Sequence, residues 1–223
     1  MIRALVFDLD GLILDTESVV YASWESAYRS RGVPLPLDLW QRAIGSDETH
    51  FEPLSFLLAQ RPDIDVEELQ EQRRAVRDRL LAQLSPCAGV PERIAEARAR
   101  GLRLAVASSS EREWVEHHLG RLGLREHFSA LRCRDDVARV KPDPMLYRSA
   151  LEALGVAPEH AVAFEDSPNG VAAAVAAGLR CVAVPGPMTR GLPFDAAHLC
   201  LASLAELPLD EILAAVTDDR GTA

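Results

Sequence analysis

The chain has little that ties it to a membrane, to nucleic acid or to an oxidising compartment. Its four cysteines, Cys87, Cys133, Cys181 and Cys200, are scattered without a Cys-x-x-Cys pair. Thiolate metal sites and a disulfide framework are therefore not expected. Cys133 and Cys181 lie in apolar runs and read as core residues. Basic residues are in deficit, 24 Lys and Arg against 34 Asp and Glu, for a net charge of −10. A nucleic-acid binder needs a basic face, so nucleic acid is not an expected partner. An anionic substrate stays open, because a bound cation and a few local basic groups reverse the field inside a cleft. No apolar run reaches the ~20 residues of a membrane span. Met1 leads straight into the first apolar run, with no basic leader and no small-residue cleavage site, so the expected location is cytoplasmic. Repeats and low-complexity segments are absent, and only the stretch from Thr217 onward has the composition of a disordered tail.

What remains is an ordinary globular composition, 48% hydrophobic and 26% charged over 223 residues, enough for one large domain or two modest ones. Short apolar runs at residues 4–7, 102–107, 130–133, 161–164 and 181–184 read as buried strands. Helical patterns fall between most of them, at 91–100, 111–122, 144–154 and 168–177. The last follows Ser167, a good N-cap, and closes at Gly178. Strand and helix in alternation predict an α/β fold, a parallel sheet with helices on both faces.

The alternation breaks once. Residues 16–85 hold no convincing strand and are rich in helix formers, at 17–29, 37–44, 51–59 and 66–84. A strand crossover needs far less chain. The surplus predicts an inserted helical subdomain, with hinges near 12–16 and 85–89, that either closes over a substrate or only adds stability.

Four segments carry chemistry. The first strand runs into Phe7-Asp8-Leu9-Asp10-Gly11. Two carboxylates beyond a strand's carboxyl end lie where open parallel sheets bind ligands, and they repel unless a cation holds them. Hard divalent cations choose oxygen ligands, so Mg²⁺ is the natural partner. Asp8 is placed to bind the metal and to attack as a carboxylate nucleophile, yielding an acyl phosphate. Asp10 is placed to protonate the leaving oxygen and then activate water. Its backbone carbonyl is also within reach of the metal. Ala107-Ser108-Ser109-Ser110 ends the second strand. Ser108 reads as a phosphate contact, and Ser109 and Ser110 as caps of the following helix. In Val140-Lys141-Pro142-Asp143-Pro144, Lys141 offers an ammonium to neutralise transition-state charge. In Phe164-Glu165-Asp166-Ser167, another apolar strand ends in two acids. Asp166 is the better distal Mg²⁺ ligand and Glu165 the second candidate.

In this order the motifs resemble the haloacid dehalogenase-like hydrolase superfamily. FDLDGLILDT, AVASSS, VKPDP and AFEDSPNG are similar to the branch that holds β-phosphoglucomutase and small-molecule phosphatases. The resemblance spans essentially the whole chain. It implies a Rossmann-like catalytic core from 1–15 and 86–223, with 16–85 as a helical cap domain. It implies Asp8 as nucleophile, Asp10 as general acid/base, and Ser108 and Lys141 as the phosphate-binding pair, with Lys141 also catalytic. Mg²⁺ would be held by Asp8, the Asp10 carbonyl and Asp166, with Glu165 as auxiliary.

Departures from the pattern narrow the expected activity. β-Phosphoglucomutases carry a histidine where this chain has Val20, and an arginine where Gly45-Ser46-Asp47-Glu48 places an acid. An acid there repels a second phosphate, so a sugar-phosphate mutase is the weaker reading. A non-catalytic phosphate-binding module would have lost a catalytic group, yet Asp8, Asp10, Ser108, Lys141 and Asp166 are all present. The expectation is a Mg²⁺-dependent phosphatase that acts on a small phosphorylated metabolite, a sugar phosphate by analogy with the family. A monomer is the default. Arg73 and Arg77 are expected on the cap surface, Trp24, Tyr28 and Trp40 in the cap core, and His117 and His118 in surface or half-buried positions. Asp15 and Thr16 are expected to hold the hinge in register. Asp135 and Asp136 read as turn residues, with Asp136 near enough to Lys141 in sequence to orient it.

Overall fold

The computed structural model describes residues 1–43 and 51–217. The Gly45-Ser46-Asp47-Glu48 segment and residues 218–223 lie outside the described residues. Six parallel strands form one sheet: β1 (Ala4–Phe7), β2 (Arg103–Ala107), β3 (Ala130–Arg132), β4 (Ala161–Glu165), β5 (Arg180–Ala183) and β6 (Leu199–Cys200). Their order is β3-β2-β1-β4-β5-β6. The order reverses between β1 and β4, which pair with Phe7 opposite Phe164. Such a switch point opens a crevice at the carboxyl ends of the strands.

Nine α-helices accompany the sheet among the described residues. They are α1 (Thr16–Arg29), α2 (Leu37–Ala43), α3 (Pro53–Gln60), α4 (Val66–Leu81), α5 (Val90–Ala99), α6 (Arg112–Arg121), α7 (Met145–Leu154), α8 (Pro168–Ala176) and α9 (Leu209–Thr217). Period-two alternation sends β1 side chains both ways. Leu5 and Phe7 pack with α5, α6 and α9, while Ala4 and Val6 pack with α7 and α8. Phe7 stacks on Phe164 at 4.9 Å and meets Phe128 edge-on at 6.0 Å. Full burial of a side chain of this size stabilises by about 1.5–3 kcal/mol. The floor of the sheet is therefore firm directly beneath the crevice. Cys133 and Cys181 are buried in these cores as expected.

Helices α1 to α4 have a cluster of their own. Trp24, Ala27, Tyr28, Trp40, Leu57 and Leu69 form its centre, and Val20 and Tyr21 pack against it. The Arg73 guanidinium lies over the Trp24 ring at 4.6 Å, so its stem covers the cluster, while Arg77 pairs with Asp78. The two chain crossings between this bundle and the sheet lie side by side, Cys87 N donating to Ile13 O at 2.9 Å. Beyond β5, Met188 packs against the same cluster, and Gln41 Nε2 donates to its carbonyl at 3.0 Å. No helix among the described residues is long and apolar enough to cross a membrane.

Two elements depart from the sequence reading. β6 spans only Leu199–Cys200, too short to show a period, and α9 buries Leu209, Ile212 and Val216 in a stretch to which no element was assigned.

Candidate active site

The four acids read as nucleophile, acid/base and metal ligands lie at the carboxyl edge of the sheet. β1 delivers Asp8, the loop after it Asp10, and the end of β4 delivers Glu165 and Asp166. Asp8, Glu165 and Asp166 are all buried, and each presents an oxygen within 4.8 Å of the other two. Lys141, also buried, reaches them from the loop before α7. Its Nζ donates to Asp8 Oδ1 and, at 2.6 Å, to Glu165 Oε1.

Glu165 is the anchor of this group. Tyr147 of α7 donates its hydroxyl to Oε1 at 2.6 Å, and the Asp166 amide donates to Oε2 at 3.2 Å. The carboxylate thus fixes Lys141 from behind. Its place depends on Gly170, since a Cβ there would lie 2.0 Å from the Glu165 carboxylate. Gly11 plays the same part for Asp166. It has φ +86°, and a Cβ there would meet Asp166 Oδ2 at 1.9 Å.

Three buried carboxylates face one ammonium, and the imbalance shows in their proton affinities. Burial pushes Asp8 up to about 8 against the pull of Lys141, and the charges of Glu165 and Asp10 add to the rise. Asp166 is pushed well above the usual carboxylate range by burial, then by Asp8, Glu165 and Glu17. Burial alone would lower Lys141, but the charges of Asp8 and Glu165 outweigh it and hold the ammonium above its ordinary value. Two negative charges remain uncompensated in a buried, all-oxygen set, which fits a divalent hard cation. Glu17, half-buried at the start of α1, is raised to about 7 by burial and by the charges of Asp10 and Asp15.

Asp10 has different company. Thr16 Oγ1 donates to its Oδ1 at 2.7 Å, Trp114 Nε1 donates to the same oxygen at 2.9 Å, and Ser110 Oγ donates to Oδ2 at 2.7 Å. Ser108 Oγ stands 3.4 Å from Oδ2 and accepts the Ser110 amide at 3.0 Å. This corrects the reading of Ser110 as a helix cap. Helix α6 begins later, at Arg112, whose amide is capped by Asp135 Oδ2 at 2.7 Å. Asp136 does not orient Lys141 either, because its carboxylate is held by the Arg112 guanidinium at 2.6 Å. Asp15 caps α1 through the Ser18 amide at 3.1 Å. His118 is fully buried rather than half-exposed.

Trp114, Ser110, Tyr147 and Gly170 were not foreseen. Their partners lie far away in sequence or depend on the packing of one carboxylate, and no local pattern marks them.

Comparison with known proteins identifies the family. The family model described as "Haloacid dehalogenase-like hydrolase" matches residues 5–184. The YhcW protein of Bacillus subtilis (strain 168) is 40% identical over 214 residues, covering 96% of this chain and 97% of that protein. Hexitol phosphatase B of Escherichia coli (strain K12) is 32% identical over 230 residues, covering 95% and 97%. Among solved structures, CbbY from Rhodobacter sphaeroides in complex with phosphate superposes with a TM-score of 0.72 at 32% identity, covering 93% of this chain and 96% of that one.

Proposed function

Because the chain belongs to the haloacid dehalogenase-like hydrolase family, in its small-molecule phosphatase branch, we propose that it is a Mg²⁺-dependent phosphatase working through a phosphoryl group carried on Asp8. The proposed substrate is a small phosphate monoester, a sugar phosphate. The observation that supports this reading most is the buried set of Asp8, Glu165 and Asp166 around Lys141, beside a separately held Asp10.

In this reading Lys141 holds one oxygen of Asp8 and leaves the other to attack phosphorus. The bond from phosphorus to the ester oxygen breaks, and Asp10 gives that oxygen its proton. Asp10 then takes a proton from the water that attacks the acyl phosphate, which releases inorganic phosphate and restores Asp8. Lys141 offsets phosphoryl charge through both steps, with Ser108 as the phosphate contact. Asp8, Asp166 and the Asp10 carbonyl, with Glu165 as auxiliary, would hold Mg²⁺, which would supply further charge neutralisation. Residues 1–15 and 86–223 form the catalytic core of this reading. Residues 16–85 form a cap that selects the substrate.

The test is phosphate release from a panel of small phosphate esters, with Mg²⁺ or with EDTA, for the wild type and Asp8→Asn. The expected result is Mg²⁺-dependent release that drops about 10³-fold or more in the variant. Near-wild-type release from Asp8→Asn would overturn the reading.

A further inference from the structure

Both oxygens of Asp10 are occupied, and among the described residues none of the donors is charged. Thr16 and Trp114 share Oδ1, and Ser110 takes Oδ2. Thr16 belongs to the hinge, at the first position of α1. Trp114 and Ser110 come from the other side, from α6 and the turn before it. The indole of Trp114 is itself clamped. The His118 ring lies edge-on to it, with centroids 4.2 Å apart, one helical turn further along α6. His118 is buried, and among the described residues neither of its ring nitrogens has a hydrogen-bond partner. A buried polar ring without partners is costly. The ring contacts of His118 are with the indole and, edge-on at 5.1 Å, with His117.

We propose that Trp114, backed by His118 and joined by Ser110, is a positioning residue that holds the Asp10 carboxylate in the one orientation from which it exchanges a proton with the leaving oxygen. The proposal rests on the reading of Asp10 as the general acid/base. An indole N–H is a donor only and rigid, so it sets direction without competing for the proton. A side-chain carboxylate turns freely about its terminal bond, and a proton in transfer requires hydrogen-bond reach and alignment. Two donors on opposite oxygens remove that freedom.

The test compares two leaving groups in Trp114→Phe, which keeps a ring and deletes the N–H, and in Ser110→Ala, which deletes one half-buried hydroxyl and leaves the ring packing untouched. p-Nitrophenolate departs without a proton, whereas the alkoxide of glycerol phosphate needs one. The expected kcat/KM for glycerol phosphate falls about 10-fold in each variant, while that for p-nitrophenyl phosphate changes by less than about 3-fold. In an Asp10→Asn background, adding Trp114→Phe is expected to cause no further loss. Equal losses on both esters, or an added loss on top of Asp10→Asn, would overturn the proposal, because a merely structural role predicts both. If Asp10→Asn itself leaves glycerol phosphate turnover intact, the acid/base reading falls and this proposal with it. If Asp10→Asn is impaired while Trp114→Phe and Ser110→Ala are not, the positioning role alone is overturned.

Discussion

Asp8 is met by charge: an ammonium against one oxygen and two further carboxylates within reach. Asp10, on the same loop, is met by an indole and three hydroxyls and, among the described residues, by no charged donor. Both carboxylates come from the same strand end and differ only in what the rest of the chain brings to them. Environments that differ in this way are how a protein divides two identical groups between two tasks. The ionic side is suited to a metal, a phosphoryl group and a nucleophile. The neutral side is suited to directing a carboxylate without adding charge to the cleft. Among the described residues, the bundle of α1 to α4 reaches the two sides through the start of α1, by the Thr16 hydroxyl on Asp10 and the Glu17 charge on Asp166.

The largest expected effect comes from removing the only ammonium on the ionic side. Lys141→Ala leaves Asp8 and Glu165 buried without their partner. Breaking a buried pair in this way costs about 3–5 kcal/mol. Urea unfolding is expected to show a midpoint lowered accordingly, together with loss of turnover. A variant as stable as the wild type would mean that the ionic side is not held together by Lys141.

A smaller effect is expected from Gly170→Ala. Alanine is better in a helix than glycine by about 1 kcal/mol. Against that stands a Cβ placed 2.0 Å from a buried carboxylate. Overpacking of this kind costs about 1–3 kcal/mol, so the clash wins. The variant is expected to unfold at lower temperature and to lose activity as Glu165 shifts from Lys141. A rise in thermal midpoint with full activity would show that Glu165 yields at no cost.

An effect of similar or smaller size is a pH dependence beside Asp10. Glu17 is raised from 4.5 to about 7, chiefly by burial and then by the charges of Asp10 and Asp15. Between these values the folded protein keeps a proton that the unfolded chain has released. Stability from this group is therefore undiminished below about pH 4.5 and is lost as pH rises toward 7. Glu17→Gln is expected to flatten that slope in metal-free protein and to gain on the order of 1–2 kcal/mol at pH 8. Parallel stability curves for the two proteins would contradict this.

The ionic side was legible in the sequence because each of its parts adjoins an apolar run or a proline. Asp8 and Asp166 end strands whose hydrophobicity is local, and Lys141 precedes Pro142. The neutral side was not. Trp114 and Ser110 reach Asp10 across 104 and 100 positions, and Ser110 reads locally as a cap because serines before helices usually are. The true cap of α6 comes from Asp135, a residue with no visible link to that helix. The sheet was legible except for β6, whose two residues carry no periodicity. Helix α9 does carry one, since Leu209, Ile212 and Val216 recur at helical spacing, but its polar flank and terminal position concealed it.

The central claim is that Asp8 itself carries the phosphoryl group. The most direct measurement is intact and peptide mass spectrometry of the protein, mixed with a turned-over phosphate ester and Mg²⁺ and quenched in acid within one turnover. The account predicts the added mass of one phosphoryl group on the peptide that contains Asp8, absent from Asp8→Asn. Full turnover by the wild type, with that peptide unmodified at every quench time and the label on another residue, would contradict it.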